Sequence, residues 1–142
     1  MRRDVIVVDT GVLYAFFIAT DPAHAEARGL LESETEGIVV SPYVVSELDY
    51  FITKKFGPPA EVRVLDSLTS GVFELPIMGP VDVIACTRIL ESYPDHRIGI
   101  TDASLVVLAD RYETSRIGTY DRRHFSFLRP LRGGWFDVLP SR

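Results

Sequence analysis

Cysteine and long apolar runs are the features that this sequence has least of. Cys86 is the single cysteine, so an internal disulfide framework is excluded, which fits a reducing cytoplasm. No apolar run approaches the roughly 20 residues that a membrane-spanning helix needs. We also expect no signal peptide, because the apolar run after Met1-Arg2-Arg3 is short and Asp9 interrupts it. These absences predict a cytoplasmic protein without a membrane partner.

Positive charge is also in short supply. The formal net charge of −5 at pH 7 argues against broad, salt-driven attraction to nucleic acid. It does not exclude a nucleic-acid enzyme whose acidic site is neutralised by cations. The arginines are unevenly spread, since six of them lie between Arg111 and Arg132, and the C-terminal segment is therefore locally basic.

The composition is that of one folded domain, residues 1–142, with 46% hydrophobic and 25% charged residues and no repeat or linker. Strands and helices are predicted to alternate, which indicates an α/β fold with a mostly parallel sheet. The predicted strands are Val5–Val8, Ile38–Val40, Val72–Leu75, Arg116–Tyr120 and Trp135–Leu139. The predicted helices are Gly11–Ala19, Pro22–Ser33 after an Asp21 N-cap, Tyr43–Phe56, one after Pro58-Pro59, Val81–Leu90, one from Thr101, and a last turn at Arg122–Phe125.

Four carboxylates are expected at one edge of this sheet. Asp9 and Asp121 end apolar strands, whereas Glu47, half buried by pattern, and Asp102 lie in the first turns of helices. In a parallel sheet, strand ends and the starts of the following helices share an edge. Two unit charges about 4 Å apart repel by about 4 kcal/mol at an effective dielectric near 20, so such a cluster needs cations. With no His or Cys spaced as a soft ligand, we predict an all-oxygen site for Mg²⁺ or Mn²⁺.

Each of these residues also has an ordinary explanation. Asp9 could be a turn residue or N-cap, Glu47 an edge glutamate, Asp102 a partner of the helix dipole, and Asp121 a salt-bridged turn residue. The coincidence of four at one edge favours a catalytic metal site. Of the other candidates, His124 is interpreted as structural or at most a substrate contact, and Cys86 as core. Arg122 and Arg123 could hold a phosphate or a partner's carboxylate, and Arg122 is our candidate for substrate binding.

At these four positions the chain resembles the PIN-domain proteins, and specifically the VapC-type toxin ribonucleases. The matching motifs are Val8-Asp9-Thr10, Val45-Ser46-Glu47-Leu48, Ile100-Thr101-Asp102-Ala103-Ser104-Leu105 and Thr119-Tyr120-Asp121-Arg122-Arg123-His124-Phe125, in order along essentially the whole chain. The resemblance departs at Gly11, where many relatives carry Ser or Asn.

The resemblance implies a three-layer α/β/α sandwich and Mg²⁺- or Mn²⁺-dependent hydrolysis of RNA phosphodiesters. Asp9, Glu47, Asp102 and Asp121 would then bind metal and position the attacking water, with Thr10 and Thr119 supporting the site. It also implies a homodimer that a VapB-type antitoxin holds inactive. Toxin and antitoxin could further combine into a higher assembly.

Three other functions remain open from the residues. A haloacid-dehalogenase-like phosphatase would also place an Asp after the first strand, but Asp9-Thr10-Gly11 lacks the second Asp of the expected D-x-D pair. A receiver-like signalling domain would need an acidic pair after the first strand and a lysine near the last strands. A catalytically inactive PIN-like domain would only bind, although its carboxylates here are intact.

Overall fold

Five strands form one sheet in which every neighbouring pair is parallel, in the order β3-β2-β1-β4-β5. The computed structural model describes residues 4–141 of the chain. The elements are β1 (Ile6–Val8), α1 (Thr10–Phe17), α2 (His24–Glu32), β2 (Ile38–Val39), α3 (Pro42–Phe56), α4 (Pro58–Leu68), β3 (Phe73–Glu74), α5 (Pro80–Ser92), α6 (Ile100–Arg111), β4 (Arg116–Gly118), α7 (Arg122–Phe127) and β5 (Asp137–Leu139). The predicted α/β architecture is confirmed. No helix in this part of the chain combines the length and apolarity needed to cross a membrane.

The centre of the core is β1 together with α6. Val5 to Val8 have no exposed surface, because β1 lies between β2 and β4 and its side chains are covered on both faces. In α6, the residues from Ala103 to Ala109 are all buried, as the apolar sequence on every side of that helix predicts. Cys86 is buried in α5, in agreement with its interpretation as a core residue.

The start of α3 follows the sequence rules, whereas the start of α2 does not. The Ser41 hydroxyl accepts the Tyr43 amide at 3.1 Å, and Pro42 takes the first helical position. The predicted helix start at Pro22 is wrong, because Asp21 closes a turn instead: its carboxylate accepts the amide of Ala23 at 2.8 Å. The helix then begins at His24, whose ring donates to the Ala15 carbonyl at 2.8 Å and so fixes α2 against α1.

The last strand is shorter than predicted. Only Asp137 to Leu139 pair with β4, so the predicted strand start at Trp135 is wrong. Trp135 lies outside the sheet, and its ring makes a cation–π contact 3.4 Å from the Arg129 guanidinium carbon.

Candidate active site

The ends of β1 and β4 carry two of the four predicted carboxylates and are joined by a buried hydroxyl. Asp9 is the N-cap of α1, and Asp121 is the N-cap of α7. Thr119 Oγ1 donates to Asp9 Oδ2 at 2.8 Å and accepts the Asp121 amide at 2.9 Å. Because β1 and β4 are parallel neighbours, these two helix starts lie side by side. The predicted supporting role of Thr119 thus has a physical basis, since its hydroxyl fixes the Asp9 carboxylate.

The third carboxylate, Asp102, lies in the first turn of α6 and meets the second through a histidine. His124 Nδ1 donates to Asp102 Oδ2 at 2.6 Å and lies 2.9 Å from Asp121 Oδ2. The Asp121 side chain also accepts the backbone amide of His124 at 3.1 Å. This bond brings the His124 ring next to the Asp121 carboxylate. One imidazole nitrogen therefore bridges two acidic groups.

The fourth carboxylate, Glu47, reaches the site from α3. Its Oε2 accepts the Thr101 hydroxyl at 3.4 Å. The expectation that Glu47 is half buried is wrong, because the buried stripe of α3 is Val44, Leu48 and Ile52, and Glu47 lies to one side of it, exposed to solvent. This position puts the carboxylate at the mouth of the site rather than at its floor.

All four predicted carboxylates line one cavity of about 260 Å³, which we call the acidic pocket. Its lining residues are Asp9, Glu47, Asp102, Asp121, His124, Arg97 and the segment from Ile98 to Thr101. The pocket also contains His124, which the sequence analysis interpreted as structural or at most a substrate contact, and Arg97, which it did not single out. For His124 the available signal was its position three residues after an N-cap Asp, whereas Arg97 lies in an exposed loop with no pattern to single it out.

Burial and mutual repulsion raise the pKa of two carboxyl groups in the acidic pocket. Burial raises the pKa of Asp102 to about 6, the Asp9 charge adds to the rise, and the hydrogen bond from His124 opposes it. Burial also raises the pKa of Asp9, while hydrogen bonds from Thr119 and Thr10 lower it and the charges of Glu47 and Asp121 raise it again. Arg97 and His124 are the basic residues in the lining and are outnumbered by the four carboxylates, so a divalent cation would relieve the remaining repulsion.

The donor set fits such a cation. Among the described residues, one ligand atom from each of Asp102, Asp121 and His124 lies within 4.8 Å of the others. Asp9 and Glu47 line the same pocket outside that closest group. The expectation that no histidine is placed as a ligand is therefore wrong, because the single turn of α7 returns His124 to Asp121. Thr10 Oγ1, buried next to Asp9 in the chain, has no hydrogen-bond partner within the described residues, but Thr10 is not among the residues that line the acidic pocket.

The two remaining positions of interest lie at the edge of the site or outside it. Gly11 follows Thr10 in α1, and a Cβ there would lie 3.8 Å from Tyr120 Cδ2, which is ordinary contact. Arg122 donates to the Pro140 carbonyl and does not line the acidic pocket. Its predicted role in substrate binding stays a prediction.

A second, larger cavity of about 770 Å³ lies between α1 and α3, and we call it the α1–α3 cavity. Its walls are mostly apolar, with two lysines from the end of α3. The lining residues are Thr10, Gly11, Tyr14, Asp21, Ala23, Glu47, Phe51, Lys54, Lys55 and Tyr120. Glu47 lines both cavities, so the larger one adjoins the acidic pocket at this residue.

Comparisons with known proteins identify the family. Residues 6–129 match the family model described as PIN domain. The chain is 48% identical to Ribonuclease VapC26 of Mycobacterium tuberculosis (strain ATCC 25618 / H37Rv) over 135 residues, which cover 95% of this chain and 100% of the relative.

Two solved structures show the same fold. One is Mycobacterium tuberculosis VapC20, described as a sarcin-ricin loop cleaving toxin, with a TM-score of 0.73 and 20% identity over 79% of this chain and 86% of that chain. The other is VapBC2 from Rickettsia felis bound to a promoter DNA fragment, with a TM-score of 0.68 and 15% identity over 94% and 96% of the two chains. The predicted three-layer α/β/α sandwich is thereby confirmed.

Proposed function

The chain belongs to the PIN-domain family, and from that premise we propose that it is the toxin of a type II toxin–antitoxin pair, an endoribonuclease that hydrolyses RNA phosphodiester bonds. The observation that carries the proposal is the convergence of Asp9, Glu47, Asp102 and Asp121 on one pocket of a chain 48% identical to a ribonuclease over most of its length. The toxin acts in the cytoplasm, and its single domain spans residues 1–142.

The residues of the acidic pocket divide into those that hold the metal and those that position other groups. Asp9, Asp102 and Asp121 would hold Mg²⁺, or Mn²⁺ in its place, with His124 as a nitrogen donor beside the last two, because carboxylate oxygens are the donors that these ions prefer. A bound divalent ion supplies a water of lowered pKa and stabilises charge on the phosphate. Glu47, exposed at the mouth, orients the attacking water by accepting its hydrogen bond. Thr119 keeps Asp9 in position, and Thr10 supplies a neighbouring hydroxyl.

An RNA cleavage assay tests the proposed function. The purified chain is incubated with structured RNA in Mg²⁺, in Mn²⁺ and in EDTA, beside an Asp102→Asn variant. The expected result is discrete fragments that require both a metal and Asp102, with activity lost by at least about 100-fold in the variant. An Asp66→Asn variant on the exposed side of α4 is the matched control and should cut as well as the parent. Intact RNA in every metal, together with calorimetric Mn²⁺ binding, would identify an inactive PIN-like binding domain instead.

The antitoxin is proposed to cover the α1–α3 cavity. Its walls combine exposed apolar surface, such as the 44% exposed Phe51, with the charges of Lys54 and Lys55. A VapB-type segment seated there would also obstruct the acidic pocket, because Glu47 lies at the junction of the two cavities. A Phe51→Asp variant should lose co-purification with a co-expressed antitoxin while keeping its fold. Val62→Asp, at a 54% exposed site on α4, should retain co-purification.

A homodimer is proposed to form through the exposed apolar surface at the start of α5. Ile77, Val81 and Ile84 are 89%, 79% and 55% exposed, and the last two lie on one face of the helix. Arg111 donates to the Ile77 carbonyl at 2.9 Å and pairs with Asp82, which fixes this surface on the domain. Ile84→Asp should convert the dimer to a monomer in light scattering, and an unchanged mass would place the interface elsewhere. Pairs of toxin–antitoxin dimers would form the higher assembly.

A further inference from the structure

A second polar cavity adjoins the acidic pocket on the side of His124. It has a volume of about 380 Å³ and is lined by Asp95, His96, Arg97, Arg123 and His124; we call it the basic cleft. Arg97 and His124 also line the acidic pocket, so the two cavities are neighbours. A strand held in the acidic pocket would therefore have the basic cleft beside it.

The two arginines of the basic cleft differ from most arginines of the protein. Within residues 4–141, most arginines either pair with carboxylates or donate to backbone carbonyls: Arg28, Arg88, Arg111, Arg116, Arg122, Arg129 and Arg132. In the same range Arg63, Arg97 and Arg123 have no carboxylate within 4.0 Å and no side-chain hydrogen bond. Two of these three unpaired cations face the same cleft, although the protein as a whole carries a net charge of −5.

Ring contacts hold the walls of the basic cleft together. The His96 ring stacks on Phe127 with centroids 3.8 Å apart and an interplanar angle of 20°. Tyr93 packs against the same Phe127 at 5.6 Å, and its hydroxyl accepts the Arg129 amide at 3.1 Å. The loop that carries Arg97 is thus fixed against α7, which carries Arg123, so the two guanidinium groups are presented by a preformed surface.

We propose that the basic cleft is a phosphate-binding subsite in which Arg97 and Arg123 contact the RNA backbone next to the phosphodiester that lies in the acidic pocket. The inference rests on the proposed ribonuclease function. Guanidinium groups match phosphate oxygens in geometry and charge, and contacts to phosphate position a strand without reading its sequence. The subsite also explains how an acidic protein holds a polyanion: a few unpaired cations act locally, beside a metal site that neutralises the carboxylates.

Salt-dependent RNA binding tests the subsite independently of cleavage. Arg97→Ala, Arg123→Ala and the double variant are made in an Asp102→Asn background, so that the RNA stays intact. Binding to a short single-stranded RNA in Mg²⁺ is followed by fluorescence anisotropy across a range of salt concentrations. Each substitution should reduce the slope of log affinity against log salt by about 0.7, and the double variant by about 1.4. The loss should be the same for RNAs of different sequence.

Two sets of variants act as controls. Arg63→Ala removes the other unpaired arginine, which is exposed on α4 and lines a different cavity, and it should leave the slope unchanged. Arg97→Lys and Arg123→Lys keep the charge and should retain most of the slope. All variants should keep the parent's far-UV circular dichroism, since both arginines are exposed.

The outcomes separate this subsite from the function on which it rests. The subsite would be overturned if the double variant kept the salt slope of its Asp102→Asn background, or lost no more slope than Arg63→Ala. This holds even if the unmodified protein cuts RNA. A parent that binds RNA with the expected slopes but never cuts it would leave the subsite in place and overturn the ribonuclease.

Discussion

Replacing Asp102 with Asn should stabilise the protein in the absence of metal while it abolishes cleavage. The pKa of Asp102 is about 6 in the folded chain, above the ordinary value of 3.8. A carboxyl group with a raised folded-state pKa contributes stability that is full below its unfolded pKa and is lost as the pH rises through the folded one. At neutral pH the ionised Asp102 therefore destabilises the fold, and the neutral amide removes that repulsion.

The magnitude follows from the shift in pKa. The raised pKa destabilises the folded chain by about 3 kcal/mol at pH 8, where Asp102 is ionised in both states. At pH 4.5 the cost is about 1 kcal/mol, because Asp102 is then protonated in the folded chain and mostly ionised in the unfolded one. The variant should therefore be more stable than the parent by about 3 kcal/mol at pH 8, about 9 °C in Tm, and by about 1 kcal/mol at pH 4.5.

Urea unfolding in EDTA at the two pH values measures this difference. Asp82→Asn is the control of opposite sign, because Asp82 accepts the Gly79 amide and pairs with Arg111, which together lower the pKa of its carboxyl. Stability from such a group is present above its unfolded pKa and lost as the pH falls, so this variant should be less stable than the parent at pH 8. An Asp102→Asn protein that is less stable than the parent at pH 8, or equally stabilised at both pH values, would refute the repulsion argument.

Three further substitutions test single features of the site. Thr119→Val should lower the free energy of unfolding by about 2–4 kcal/mol in urea titrations, because the Asp9 carboxylate and the Asp121 amide both lose the hydroxyl that they share. Thr119→Ser keeps a hydroxyl and should recover most of the loss. Gly99→Ala should cost about 1–2 kcal/mol, since Gly99 has φ +62° immediately before α6, and a loss below 0.5 kcal/mol would mean that the turn relaxes. Gly11→Ser should fit beside Tyr120 and raise the free energy of unfolding by about 0.5 kcal/mol, because serine is more favourable than glycine inside a helix. A decrease in Tm would show a clash that the 3.8 Å distance to Tyr120 does not predict.

The sequence predicted the parts of the fold that depend on one strong local signal. The apolar run of β1 predicted a strand covered on both faces, and the Ser41-Pro42 pair predicted the start of α3. Apolar residues on every side of α6 predicted a central helix. The same type of signal failed at Asp21-Pro22, because a capping residue before a proline also closes a turn, and the tertiary contact of His24 determined where α2 begins.

The site was predicted to the level of its carboxylates and no further. Parallel strands bring their carboxyl ends to one edge, so Asp9, Asp102 and Asp121 could be placed together from the topology alone. Arg97 could not, because its position depends on the path of the loop before α6 rather than on any periodic pattern. His124 had a signal in its spacing from Asp121, but its contact with Asp102 depends on how α7 packs against α6. The exposure of Glu47 could not be predicted either. The helical spacing of apolar residues shows on which side of α3 a residue lies, but not how far neighbouring elements cover that side.

The location of bound Mn²⁺ tests the central claim most directly. Crystals of the protein soaked in Mn²⁺, with anomalous data collected at the manganese edge, would give the ion's position without reference to activity. The account predicts a peak in the acidic pocket, with carboxylate oxygens of Asp9, Asp102 and Asp121 about 2.0–2.3 Å from the ion, and no such peak in Asp102→Asn crystals. A peak elsewhere, or none in a soaked crystal of the parent protein, would contradict the assignment of these carboxylates as a metal site.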